Sequence, residues 1–257
     1  MKIVSIIQAR MSSTRLPGKV LLEAAGQPLL IHMLERISRC PVLDEVWVAT
    51  SKEEDDDPIA EAVAHSGYSV FRGSLNNVLS RFYDIGSQTK ADVIVRLTGD
   101  CPLHDPKIID RVIDFYLTHC EEFDYVSNVL PPSYPDGLDT EVFTFQLLAD
   151  AYQNATSPFD LEHVVPYIRR ISKENGRRGN FAGPANFSHL RWTLDEPEDY
   201  QLIKEVYEDL YRTNHEFGWL DVLAWITQDP RRLTLNSKHE RNVDTRDIDT
   251  SQFQENI

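Results

Sequence analysis

The stretch QARMSSTRLPGKVL, residues 8–21, gathers Arg10, Arg15 and Lys19 with the hydroxyls of Ser12, Ser13 and Thr14 and with Gly18. Cations at this density make a site for a small polyanion, and the backbone amides of the small residues can add donors to phosphate oxygens. The loop is not a Walker A sequence, because Gly18-Lys19 is followed by Val20 and the GxxxxGK spacing fails, and GxGxxG is also missing. A solvated basic loop is the plainer alternative.

Two acidic positions could complete such a site. Asp100, in RLTGDCPL, follows an apolar run and stands before Pro102, which fixes a turn. A carboxylate facing a triphosphate requires a divalent cation between them, and Mg²⁺ takes one or two carboxylates plus phosphate oxygens. Asp195 lies in RWTLDEPEDY, where a structural role competes: Asp195 and Glu198 read as a capping-box-like pair with Pro197 in the first turn. Taken with Asp100, it becomes the second carboxylate of a metal-binding set. Arg96 is a lone charge in VIVRLTGD, costly unless paired. Either it pairs internally with Asp139 or Glu141, or it makes a forked contact to an anionic substrate. Glu53–Asp57 reads as an acidic helix start, His163 as a packed polar residue and Cys101 as a small half-buried one; no HxxxH, CxxC or Ser-His-Asp order is present.

The elements that would position these residues alternate. Apolar runs at Ile3–Ile7, Val46–Ala49, Tyr68–Phe71, Val93–Leu97 and Tyr125–Ser127 read as buried strands. Between them, Leu30–Cys40, the segment opened by Asp57-Pro58, Val78–Ser87 and Lys107–His119 read as helices, with Asp105-Pro106 as cap and first turn of the last. This order predicts an α/β fold: a Rossmann-like open, mostly parallel sheet flanked by helices. In such sheets ligands bind beyond the carboxyl ends of the strands, where the basic loop and Asp100 both fall. Beyond the proline-rich loop Leu130–Leu138, the reading has a short strand (Glu141–Phe143), helices near Phe145–Asn154 and Leu161–Asn175, and a loop GRRGNFAGPANF. It closes with a strand Leu190–Leu194, a helix after Asp195 and a last helix Trp219–Thr227. Residues 1–235 are expected to form one domain, with an excursion near 130–190 and a loose polar tail at 236–257.

Composition limits the partners. Of 257 residues, 26 are Lys or Arg and 41 are Asp or Glu, for a net charge of −15. That argues against a broad footprint on nucleic acid or an anionic membrane, though not against a local anion pocket. No apolar run reaches the roughly 18 residues of a membrane span, and the N-terminus is too short and polar for a signal peptide. An odd count of 3 widely spaced cysteines fits the reducing cytoplasm.

In order along the chain, IIQARMSSTRLPGKVL, GQPLLIHMLER, RLTGDCPLHDP, PDGLDTEVF, LEHVVPYI and RWTLDEPEDY resemble the acylneuraminate cytidylyltransferase family. The likeness is to its branch named for spore coat polysaccharide biosynthesis protein F, and the chain is also similar to 3-deoxy-manno-octulosonate cytidylyltransferases. The resemblance implies the fold of nucleotide-diphospho-sugar transferases and a nucleotidyltransferase in which a 2-keto sugar acid attacks the α-phosphate of CTP. It implies that Gln8, Ala9, Arg10, Ser12, Ser13, Arg15 and Lys19 hold the nucleotide, that Asp100 and Asp195 hold Mg²⁺, and that Arg72 approaches cytosine. It also implies that Asp139 and Glu141 face the sugar, beside Arg96, and that two copies pair through the excursion as a homodimer. The family's proline before the Ala-Arg pair is Gln8 here. Two other readings stand beside it: a nucleotide-sugar glycosyltransferase, whose Asp-x-Asp has its nearest counterpart at Asp247 and Asp249, and a nucleotide-binding partner without catalysis.

Overall fold

The N-terminal apolar run is strand β1 (Ile3–Gln8) in the computed structural model, which describes residues 1–241. Val4 and Ile6 join one apolar cluster, Ile3 and Ile7 another. A strand buried on both faces belongs in the middle of a covered sheet. A short hairpin, β2 (Glu23–Ala24) and β3 (Gln27–Pro28), leads to α1 (Leu29–Ile37), β4 (Glu45–Ser51), α2 (Asp57–His65), β5 (Ser69–Gly73), α3 (Val78–Thr89), β6 (Val93–Thr98) and α4 (Pro106–Thr118). The second half supplies β7 (Tyr125–Ser127), β8 (Glu141–Thr144), α5 (Phe145–Asn154), α6 (Pro158–His163), α7 (Val165–Glu174), β9 (Arg178–Asn180), α8 (Pro197–Val206), α9 (Trp219–Thr227) and α10 (Pro230–Thr234).

The main sheet has the order β5-β4-β1-β6-β8-β7-β9. β8 runs antiparallel to β6 and β7, and the remaining pairings are parallel. Apolar residues of α1, α2, α4, α8 and α9 pack on one face, and those of α3, α5 and α7 on the other. The open, mostly parallel, helix-flanked sheet expected from the alternation is therefore the fold.

From β1 the chain steps outward to β4 and β5, then α3 carries it back to β6 on the other side of β1. The strand order thus reverses between β1 and β6, the position where open α/β sheets leave a crevice for a ligand. Gln8 and Thr98 are partners in register there, so the loops after both strands start side by side. Gly99 is tight against this junction: a Cβ would stand 3.0 Å from the Gln8 carbonyl oxygen and 3.1 Å from the Ala9 side chain.

The structure departs from the sequence reading in several places. Leu190–Leu194 is not a sheet strand. It pairs only through a bridge between Arg191 and Asp136, and it crosses the carboxyl ends of the strands, with the Leu194 amide donating to the Asp100 carbonyl at 2.7 Å. The Leu161–Asn175 helix is two helices, broken at Val164, whose φ of 70° no α-helix contains. The loop GRRGNFAGPANF contains β9, and the hairpin β2–β3 was not foreseen. Asp56 rather than Asp57 stands at the N-cap position of α2. The start of the supposed tail is packed: Asn236 is buried and donates to the Arg191 carbonyl and to Asp199. Asp247 and Asp249 lie outside the described residues.

Candidate active site

A cleft of about 690 Å³ opens where β1 and β6 end. One wall is the loop after β1. The Ala9 amide donates to the Ala49 carbonyl at 3.1 Å and the Met11 amide to Asp56 at 2.7 Å, which ties the loop to the end of β4. Gly18, at φ 69°, closes the turn by donating its amide to the Met11 carbonyl at 3.0 Å. That left-handed turn sets Lys19 facing back toward the strand ends.

Asp100 follows β6 directly. Asp195 comes to it by the crossing segment, because Leu194 is bonded to the Asp100 backbone. The expected Asp195–Glu198 capping pair does not form. Asp199 does the capping, accepting from the amides of Asp195 and Glu196 at 2.9 Å each. The Asp195 carboxylate is thereby left to face the cleft. Lys19 Nζ donates to Asp100 at 2.9 Å and to Asp195 at 2.7 Å. Burial works against the Lys19 charge, but the fields of Asp100 and Asp195 outweigh it and raise its pKa. Burial likewise opposes ionisation of Asp100, yet Lys19 and a hydrogen bond from Thr98 draw its carboxyl down to about 2. The Asp100 carboxylate is thus charged at neutral pH when Lys19 is present.

The second wall belongs to the excursion. Arg96 and Glu141 are partners across β6 and β8 and form an ion pair, so the internal-pair reading of Arg96 holds. Its Nε also donates to Gln8 Oε1 at 3.2 Å. Glu141 accepts in addition from Arg169 at 2.7 Å and from the Tyr125 hydroxyl at 2.5 Å. Burial opposes its charge, but Arg169, Arg96 and Tyr125 hold its carboxyl down to about 2. Asp139 is engaged by Arg241. Asp136 is pushed up to about 7, by burial first and then by Asp139, against the pull of Arg241 and Arg191.

Arg191 joins the walls from behind. Its guanidinium donates to Asp199 at 2.9 Å, Asp195 at 3.2 Å and Asp136 at 3.3 Å, with all four side chains nearly buried. Gly137 makes this approach possible, since a Cβ there would lie 2.6 Å from the Trp192 backbone.

The cleft gathers Gln8, Ala9, Arg10, Ser12, Ser13, Arg15, Lys19, Arg96, Asp100, Asp139, Glu141 and Asp195, all of them candidates from the sequence. Arg72 is not among its lining residues. It is drawn instead to Asp57 at 2.5 Å and to the carbonyls of Ser51 and Glu53, acceptors supplied by α2, the end of β4 and the turn between them. The lining also includes residues that the sequence reading passed over, Arg81, Asp136, Glu162, Arg169, Lys173 and Arg178, and His163, which it took for a packed polar residue. The spacing of Arg169 and Lys173, one turn apart on α7, was the available signal. Cys101 is no nucleophile: burial and then Asp100 push its thiol far up. Among the described residues no three His, Cys, Asp or Glu side chains cluster as a metal cage, and no helix is long and apolar enough to cross a membrane.

A family model described as cytidylyltransferase matches residues 4–218. This chain belongs to the cytidylyltransferase family. It is similar to an uncharacterized protein of Methanocaldococcus jannaschii, 36% identical over 92% of this chain and 95% of that one. It is also similar to the spore coat polysaccharide biosynthesis protein SpsF of Bacillus subtilis, 36% identical over 80% of this chain and 86% of that one. An 8-amino-3,8-dideoxy-manno-octulosonate cytidylyltransferase of Shewanella frigidimarina is 34% identical over 70% of this chain and 69% of its own. Among solved structures, a cytidylyltransferase from Leptospira borgpetersenii superposes with a TM-score of 0.85 at 35% identity, covering 91% of this chain and 97% of the other.

Proposed function

We propose that this cytidylyltransferase activates a 2-keto sugar acid, of nonulosonic or octulosonic type, with CTP to give a CMP-sugar and pyrophosphate for surface polysaccharide biosynthesis. The observation that carries the reading is the meeting of the loop cations and the Asp100–Asp195 pair in one cleft at the strand-order reversal. Arg10, Arg15 and Lys19, with donors from Ser12 and Ser13, hold the triphosphate; Gln8 and Ala9 shape the floor. The lining has nine cationic side chains against six carboxylates, in a chain of net charge −15. Two anionic substrates fit that local excess.

The donor set fits a hard dication: two adjacent charged carboxylates, with phosphate oxygens to complete the shell. Asp100 and Asp195 would hold Mg²⁺, which supplies charge neutralisation at the phosphates. In the reaction the anomeric hydroxyl oxygen of the sugar bonds to the α-phosphorus, the bond to pyrophosphate breaks, and the hydroxyl proton passes to solvent. The protein's part is positioning and electrostatics, without a covalent intermediate. Arg169, Arg178 and Lys173 serve the acidic group of the sugar, while Arg96, engaged with Glu141 and Gln8, orients the wall. Asp139 and Glu141 keep that wall charged and fixed. The same reading has the protein working in the cytoplasm, in keeping with three free thiols, and as a homodimer paired through residues 130–190. Light scattering that returned one chain mass at micromolar concentration would remove the dimer.

The deciding assay is pyrophosphate release from each NTP with candidate acceptors. CTP with a nonulosonic or octulosonic acid should be the active pair. A clear preference for hexose 1-phosphates would overturn the assignment.

A further inference from the structure

All three cations of the loop are paired within the chain, each with a carboxylate from a remote element. Arg10 meets Glu162 at 3.0 Å, and Arg15 meets Glu196 at 2.9 Å and Asp195 at 3.2 Å. Both arginines are half exposed, where such pairs exchange with water at little cost. Lys19 differs: its side chain is only 12% exposed, and its one nitrogen lies within 2.9 Å of both Asp100 and Asp195. An ammonium and a dication cannot share the same carboxylate oxygens at contact distance, because two cations that close repel strongly in a half-dry cleft.

We infer that Lys19 is the resident counter-ion of the dication site, and that nucleotide phosphate opens the site by drawing Lys19 away. The inference rests on the metal reading of Asp100 and Asp195 given above. A metal ion arriving alone must expel Lys19 into a cleft whose lining carries more cations than carboxylates, each loop arginine already holding its own acidic partner. A nucleotide supplies a further anion. Lys19 then passes from carboxylate to phosphate, and the two carboxylates pass from Lys19 to the metal. Asp195 stays in place through the exchange, because Arg191 holds its other oxygen at 3.2 Å. Linkage makes the effect reciprocal: the nucleotide tightens metal binding by the factor by which metal tightens the nucleotide. Lys19 thereby keeps Asp100 and Asp195 aimed while excluding stray dications.

The test is Mn²⁺ binding to the nucleotide-free full chain, read from the electron paramagnetic resonance signal of the free ion. Lys19→Met should bind Mn²⁺ about tenfold more tightly than wild type, the scale of a typical coupling. Adding Asp100→Asn to that variant should abolish the gain, and Arg15→Met, at a residue that pairs with Asp195 but not with Asp100, should gain far less. Lys19→Gln repeats the measurement if circular dichroism shows Lys19→Met unfolded. Equal affinities in wild type and Lys19→Met would overturn the exchange, as would an equal gain in Arg15→Met, which would mark a general field effect. A failure of Mn²⁺ to bind Lys19→Met, and also wild type carrying a non-hydrolysable CTP analogue, would instead remove the metal assignment itself.

Discussion

The carboxylate of Glu141 lies 2.7 Å from the guanidinium of Arg169 on the wall of the cleft, with side-chain exposures of 3% and 15%. Its folded pKa of about 2 lies below the ordinary 4.5, so the stabilisation is complete above that ordinary value and is lost as pH falls toward about 2. The shift corresponds to about 3 kcal/mol. Glu141→Gln should cost about 3–5 kcal/mol at neutral pH, because two arginines are left facing each other without a counter-charge. It should also flatten the acid limb of the stability curve. Urea titrations of both proteins across that pH range check it.

Asp136 should act in the opposite sense. Its folded pKa is raised to about 7, so its contribution is full below the ordinary 3.8 and is lost as pH rises through about 7. Asp136→Asn can still accept from Arg191. It should make stability less dependent on pH between those values, and the same titrations measure this.

Arg191→Met removes the cation shared by Asp136, Asp195 and Asp199. The expected loss is about 3–5 kcal/mol, since buried carboxylates are left uncompensated. Turnover should fall as well in the fraction that folds, because Asp195 loses its backing. Chemical denaturation and single-turnover assays separate the two effects.

Lys19→Ala should weaken CTP binding by about 1–3 kcal/mol, the scale of a charge-assisted contact. Arg72→Ala should leave it nearly unchanged, because Arg72 is held by Asp57 and two carbonyls. Calorimetric titration of both variants decides; a larger loss in Arg72→Ala would return that residue to the nucleotide.

Asp100→Asn should keep the fold and lower turnover by about two to four powers of ten, as the removal of a key electrostatic group does. Near-normal pyrophosphate release by the folded variant would refute its role.

Much of this site was legible because its signals are local. A β-branched run followed by a basic loop marks a strand and its carboxyl end, and the turn after the fourth apolar run, Val93–Leu97, carries Asp100. What escaped depends on distant partners. Leu190–Leu194 has the apolar look of a strand, but strand status needs neighbours, and its backbone is held by a single bridge to Asp136 and scattered bonds to Asp100, Phe187 and Asn236 rather than by a ladder. Asp195 and Asp199 are both acids near a helix start; only the folded turn shows that Asp199 takes the amides. Arg72 ends a strand as plausibly as any ligand-binding residue, and the pull of Asp57 is invisible in the linear order. The break at Val164 has no propensity behind it, since a β-branched residue resists positive φ; Pro166 was the one available hint.

Strand β8 enters the sheet backwards, between β6 and β7, and it is made later than either. During synthesis, β5, β4, β1 and β6 with their helices emerge from contiguous chain, while the outer edge of β6 waits for Glu141–Thr144. Until then β6 offers a row of unpaired backbone groups, guarded by a single charge, Arg96, whose partner Glu141 has not yet been made. Unpaired edges of this kind pair with other chains. A chain cut short after α4 would therefore keep the whole basic loop and yet be prone to associate edge to edge.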